Sequence, residues 1–111
     1  MNCLFCAIVA GDIPADKVAE SQNVLAFNDI NPQAPVHILI IPKSHHENVG
    51  ELSVADPNCL TELFTLANQL ALEKGLTGYR TVFNTGEDGG QTVFHAHLHL
   101  IGGRAMHWPP G

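Results

Sequence analysis

Three histidines alternate with apolar residues in His95-Ala96-His97-Leu98-His99-Leu100-Ile101, and two cysteines stand three apart in Cys3-Leu4-Phe5-Cys6. Both groupings bear chemistry. In an extended segment side chains alternate faces, so His95, His97 and His99 would line one face while Ala96, Leu98 and Leu100 enter the other. Residues two apart in a strand lie roughly 7 Å from each other, near enough for their imidazoles to surround one small ligand. At neutral pH an imidazole largely keeps a free lone pair, which makes it a competent nucleophile and a metal ligand. H-x-H-x-H by itself is open to three uses: a solvated polar face, a three-histidine metal site, or catalysis. The cysteine pair is open to a metal site, a redox couple, or two small buried residues on a short helix. Cys59 reads as a helix residue.

The elements that must carry these groups follow from periodicity and punctuation. A short helix is expected over residues 3–10, with Asn2 as cap and Gly11 and Pro14 as stops. Residues 17–20 and 23–29 read as two strands around the Ser21-Gln22 turn. The prolines of Asn31-Pro32-Gln33-Ala34-Pro35 impose a loop. Residues 37–41 form a continuous β-branched run closed by Pro42, hence a buried strand. Asp56 caps and Gly75 ends a helix reaching Lys74, with Leu60, Leu63, Phe64, Ala67, Leu70 and Ala71 as one apolar stripe. Residues 79–84 and 93–101 are expected strands, separated by the loop Gly86-Glu87-Asp88-Gly89-Gly90. The fold class is α+β: an antiparallel sheet of five-stranded type, one long helix and a short N-terminal helix, with the helices against one face. A chain of 111 residues suits one domain, spanning 1–111.

The formal net charge is −6, with 5 Lys+Arg against 11 Asp+Glu. Such a surface repels a polyanion, and nothing supplies the basic stripe that polymeric nucleic acid needs. A single mononucleotide is different, because backbone amides and imidazoles hold one phosphate without Lys or Arg. No apolar run approaches the ~20 residues of a membrane span, so no membrane partner is expected. The first twelve residues lack a basic n-region and reach Asp12 quickly, from which a cytoplasmic location is expected.

His95 to Ile101 resembles at every position HφHφHφφ, with φ apolar, the signature of the histidine-triad (HIT) family. Four further stretches are similar to its Hint branch, the purine nucleoside phosphoramidases. They are Phe27 to His37, Ile41-Pro42-Lys43-Ser44-His45, Gly89-Gly90-Gln91-Thr92-Val93, and the end from Gly102 through Trp108-Pro109-Pro110-Gly111. Thr92 stands where Ser is common. The resemblance covers essentially the whole chain and implies the HIT-like fold. It further implies hydrolysis of the P–N bond of a purine nucleoside 5'-phosphoramidate, AMP- or GMP-like, through a covalent nucleotidyl-histidine.

On that resemblance His97 is the nucleophile, with its second ring nitrogen held by an acceptor such as a backbone carbonyl. His99 donates to a phosphate oxygen, His95 lies toward the leaving group, His37 orients the triad, and Thr92 hydrogen-bonds or protonates the leaving nitrogen. For nucleotide binding, Asp29 takes ribose hydroxyls, Ile30 packs on the base, and Asn84 fixes the phosphate or scissile group. Gly90, Gln91 and Thr92 offer amides to the phosphate beside His97 and His99. Apart from the resemblance, His37 reads as an isolated strand-start histidine, Asn84 as a turn residue and Asp29 as a solvated acid.

Bacterial-type members carry a similar cysteine pair, which implies a structural Zn2+ on Cys3, Cys6, His45 and His95, with His46 the competitor for His45. No cofactor is then required for the chemistry itself. A homodimer is also implied, in which the tail bearing Trp108 approaches the partner's site. Two other functions stay open. One is a dinucleoside polyphosphate hydrolase of the same family, against which the Trp-Pro-Pro-Gly end argues. The other is a zinc-binding or interaction protein whose histidines serve only as ligands.

Overall fold

The structure, a computed structural model, describes residues 3–111. In chain order its elements are α1 (Leu4–Ala10), β1 (Lys17–Glu20), β2 (Val24–Asn28), β3 (Val36–Pro42), α2 (Val49–Ala55), α3 (Pro57–Glu73), β4 (Tyr79–Val82) and β5 (Leu98–Gly102). The five strands form one sheet in the order β1-β2-β3-β5-β4. Every neighbouring pair is antiparallel. Among the described residues no helix is long and apolar enough to cross a membrane.

Local chemistry explains the helix ends. Asn2, the expected cap of α1, lies outside the described residues. The N-cap is Cys3, whose Sγ accepts from the Cys6 N–H at 3.3 Å. Gly11 closes the helix at φ 84°, a left-handed position that glycine adopts without a Cβ clash. Asp56 caps α3 by accepting from the Cys59 N–H, with Pro57 in the first turn, as the sequence predicts. Helix α2 has no counterpart among the sequence expectations. Its seven residues bury only Leu52, too few for a periodic stripe, and the Asn48 cap is its one clear signal.

Helices cover both faces of the sheet, which corrects the expectation of one. The reason lies in β2 and β3, whose apolar residues are consecutive rather than alternating, so both faces need cover. On one face Val24, Ala26, Ile38, Ile40, Leu98 and Leu100 pack with Leu63, Ala67 and Leu70 of α3. On the other, Leu25, Phe27, Leu39 and Ile41 pack with Phe5 and Ile8 of α1. The α3 stripe is displaced slightly from expectation. Cys59 joins Leu63, Ala67, Leu70 and Ala71 in the core, Leu60 sits at its edge, and Phe64 is exposed against the Phe83 ring.

The last strand is shorter than expected. Pairing with β3 runs from Val36 opposite Gly102 to Ile40 opposite Leu98, and stops there. Pro42, near the end of the run on β3, has no N–H to extend a ladder, and its carbonyl is taken by the His95 ring at 2.8 Å. Residues 93–97 therefore leave the sheet without ladder bonds.

Candidate active site

The departure at residue 97 does not destroy the alternation that the sequence predicts. Ala96, Leu98 and Leu100 enter the core beneath α3. The three imidazoles occupy the other side, where the Phe5 ring meets His95 and His97 edge-on at 5.9 and 5.1 Å. The His97 and His99 rings lie 4.9 Å apart. What the sequence presents as one strand is a strand carrying His99, preceded by an unladdered stretch carrying His95 and His97.

Hydrogen bonds to carbonyls and amides assign each ring its proton. His97 Nδ1 lies 2.7 Å from the His95 carbonyl oxygen, which only accepts, so Nδ1 donates and Nε2 keeps a bare lone pair. His95 donates from Nε2 to the Pro42 carbonyl, leaving its Nδ1 bare. His37 is set the other way round. Its Nδ1 accepts from the Gln33 N–H at 3.0 Å, so its own proton sits on Nε2. That Nε2 is 2.9 Å from His99 Nδ1 and 3.3 Å from Asp29 Oδ2. Donation to His99 leaves the His99 proton on Nε2, a buried atom with no protein partner. The result is a bare nitrogen on His97 beside a ready donor on His99.

Burial keeps these rings neutral. Desolvation lowers the pKa of His97, against the opposing hydrogen bond to His95 and the Asp29 charge. Burial, then the neighbouring His97 and His37, brings His99 down to about 4. Desolvation also lowers His37, partly offset by Asp29, and lowers His95. Neutral imidazoles are what the proton assignments require.

His97 and His99 open onto a cleft of about 280 Å3, near the lower end of small-ligand sites at about 300 Å3. Its lining divides into a polar set, with Thr92, Asp29 and the two histidines, and an apolar set, with Phe5, Ile8, Phe27 and Leu39. Ile30 stands at its rim, 98% exposed. A larger concavity of about 660 Å3 between Leu76, Arg80 and Met106 brings no nucleophile to a base. Its arginines are already bonded to the carbonyls of His107, Gln33 and Ala105.

Several expected site residues are placed differently. The His95 ring is fully buried and turned away from the cleft, so it does not reach a leaving group; its contribution passes through its carbonyl. The N–H of Gly90 donates to Glu87 and that of Gln91 to Gly86, each at 3.0 Å, so neither amide is available to a phosphate. The buried Gln91 side chain accepts from Gly86 and donates to the carbonyls of Glu47 and Val93. Both residues shape the loop that brings Thr92 to the cleft. Asn84 is half-buried and outside the cleft lining. Asp29 does line it, with Oδ1 already accepting from the Asn31 N–H at 2.8 Å. The apolar walls went unrecognised in the sequence; the second apolar face of β2 and β3 was the signal that could have found them.

Behind the triad, Cys3, Cys6, His45 and His95 bring their ligand atoms within 4.8 Å of one another. His95 Nδ1 is 3.4 Å from Cys3 Sγ, 3.5 Å from Cys6 Sγ and 3.2 Å from His45 Nδ1, and Cys6 Sγ is 3.3 Å from His45 Nδ1. A tetrahedral Zn2+ with ordinary Zn–S and Zn–N bonds sets ligand edges of about 3.3–3.7 Å, so the donor set fits. The bare Nδ1 of His95 points into this cluster. His45 rather than His46 belongs to it; His46 instead accepts the Ala96 N–H through its carbonyl.

A five-stranded antiparallel sheet flanked by helices, with histidines meeting over an amphipathic cleft, defines an α+β protein with one open, histidine-lined site on the face that α1 leaves uncovered. The HIT domain pattern matches residues 10–106, and the chain belongs to the HIT family. An uncharacterized HIT-like protein of Synechococcus elongatus is 50% identical, over 99% of this chain and 97% of its own. A 14 kDa zinc-binding protein of Zea mays is 47% identical, over 97% and 87% respectively. The crystal structure of a HIT family hydrolase from Legionella pneumophila Philadelphia 1 superposes with a TM-score of 0.95 at 53% identity, covering 99% of this chain and 100% of that one.

Proposed function

We propose that the chain hydrolyses the P–N bond of purine nucleoside 5'-phosphoramidates, AMP conjugates among them, through a nucleotidyl intermediate on His97. The observation that carries the reading is the pairing of a bare His97 Nε2, enforced by the Nδ1–H bond to His95, with the unpartnered Nε2 of His99. Nε2 of His97 attacks the α-phosphorus as the P–N bond breaks. The leaving nitrogen gains a proton from the Thr92 hydroxyl, which lines the cleft and is reprotonated by solvent water. His99 Nε2–H, a buried and preorganised donor, stabilises charge on a non-bridging oxygen. Water then breaks the P–N bond to His97 and releases the monophosphate. The apolar walls take the purine, Ile30 closes over it, and the spare lone pairs of Asp29 accept from the ribose.

Cys3, Cys6, His45 and His95 would hold Zn2+ as a structural ion. Bound there, it would contribute folding free energy and fix ligand geometry. A homodimer completes the reading, with its tail carrying Trp108, 83% exposed, toward the partner's site.

Adenosine 5'-phosphoramidate tests the reaction. Wild-type turnover, an AMP adduct mapped to His97 by mass spectrometry, and loss of both in His97→Ala are expected. Equal rates in the two proteins would refute the mechanism. A second reading, a zinc-binding protein without turnover, is favoured by the four-ligand cluster and by the maize relative's name. It predicts metal uptake and no hydrolysis.

A further inference from the structure

We propose that a metal at Cys3, Cys6, His45 and His95 sets the tautomer of His97 by clamping one peptide unit, the amide between His95 and Ala96. The proposal rests on the hydrolase reading only for its effect on turnover. Both polar ends of that amide are bonded at 2.7 Å. The Ala96 N–H donates to the His46 carbonyl. The His95 carbonyl accepts from His97 Nδ1–H. One of these partners follows ligand His45 directly in sequence, and the other end belongs to ligand His95 itself. The peptide plane is therefore strung between the metal site and the nucleophile.

This arrangement matters because the sheet does not hold the segment. β5 begins at Leu98, so His95, Ala96 and His97 have no ladder bonds to β3. Their anchors are the His46 carbonyl, the His95 ring on Pro42, and the ligand cluster. Without a cation, the cluster keeps only weak thiol–imidazole contacts of 3.3–3.5 Å and one ring–ring contact of 3.2 Å. The His45–His46 segment and the His95 side chain are then no longer tied to one another through a shared ion, and the amide between them is free to turn. Once the His95 carbonyl swings off the His97 ring, nothing favours a proton on Nδ1. The proton passes to Nε2, and the lone pair that would attack phosphorus is lost. Outer partners of a metal ligand usually orient the ligand; here the ligand's own main chain orients a catalytic group.

The experiment uses the full chain with 15N-labelled histidine, zinc-loaded and chelator-stripped, reading the ring nitrogens of His97 by NMR. Cys3→Ser is the second arm. Serine keeps the cap of α1, since its hydroxyl replaces Sγ as acceptor for the Cys6 N–H, while one thiolate ligand is removed; circular dichroism checks that the fold persists. In the loaded protein His97 should be nearly all Nδ1-protonated. In the stripped protein and in Cys3→Ser that fraction should fall to about half or less, as for a ring with no fixed acceptor. kcat should fall at least about twofold in step with that fraction, with KM little changed. An unchanged Nδ1–H tautomer on zinc removal would overturn the proposal, as would failure of the wild type to take up zinc. Because the NMR signal needs no turnover, a protein inactive on phosphoramidates still supports or refutes the coupling.

Discussion

The two faces of the sheet are built from the same strands and do opposite jobs. Beneath α3, seventeen residues of helix seal a wholly apolar layer in which Leu63, Ile38, Ile40, Leu98 and Leu100 have no solvent exposure. The other face has only the seven-residue α1 above it. That helix covers Leu25, Phe27 and Ile41, and leaves a gap where His97 and His99 stand, with His37 buried behind His99. The incomplete cover is the site. A longer α1 would close the cleft, and polar rings under α3 would have no donors or acceptors to satisfy them.

Single substitutions on each face should separate turnover from stability. The largest effect is expected for His97→Ala, with kcat/KM for adenosine 5'-phosphoramidate down by at least about a thousandfold, or ~4 kcal/mol. Leu63→Ala on the sealed face should instead cost about 2–5 kcal/mol of unfolding free energy. Urea titration checks the stability, and activity per folded molecule should stay near wild type. If Leu63→Ala lowers kcat as much as His97→Ala does, the division of labour between the faces is wrong.

Next in size is the relay from Gln33 through His37 to His99. His37→Asn removes the donor to His99 Nδ1 and frees the His99 proton to move off Nε2. A drop in kcat of about ten- to a hundredfold is expected, the range for partners that orient a functional imidazole. KM should change less, since His37 does not line the cleft. A kcat within twofold of wild type would remove His37 from the mechanism.

Acid should act on the same face. His99, with its pKa brought down to about 4 by burial and by its histidine neighbours, is protonated far more readily when unfolded, at about 6.5. Between those values the unfolded chain binds more protons, so stability rises with pH there. The contribution is fully present above about 6.5 and is lost as pH falls toward about 4. Chemical denaturation at stepped pH checks this, and His99→Gln should flatten that part of the profile. A wild type equally stable at pH 7 and pH 4.5 would contradict the buried, neutral ring.

How far the sequence revealed this contrast differs between the faces. The α3 face was legible because its period is simple: the helix, its Asp56 cap and the buried run of β3 all follow from spacing. The open face was legible only in its chemistry. Of the residues that the family resemblance named, His97, His99, Asp29, Ile30 and Thr92 line one cleft, His37 bonds to His99, and Cys3, Cys6, His45 and His95 bring their ligand atoms together. The start of β5 at Leu98 was not legible, because the break depends on Pro42 lying opposite it, a tertiary fact. The glycine loop misled for a related reason. Gly90 (φ 86°) and Gln91 look like open amide donors in sequence, but the turn closes on itself and takes both N–H groups. The apolar walls were hidden because Phe5 and Ile8 come from a helix too short to show a stripe.

The smallest effect belongs to the rim, where the faces can be compared without disturbing either. Ile30 is 98% exposed in the free protein, so its side chain contributes almost nothing to folding and Ile30→Ala should leave the unfolding midpoint unchanged. It gains a partner only if a base enters the cleft. The apolar area that then leaves water is lost equally from bound substrate and transition state, so the change should appear in KM alone, about three- to tenfold, with kcat held. A matched substitution at Val54, 85% exposed on α2 and away from the cleft, should change neither constant. If the two behave alike, Ile30 does not touch the base. If Ile30→Ala lowers kcat instead, the residue positions the phosphate and not the purine.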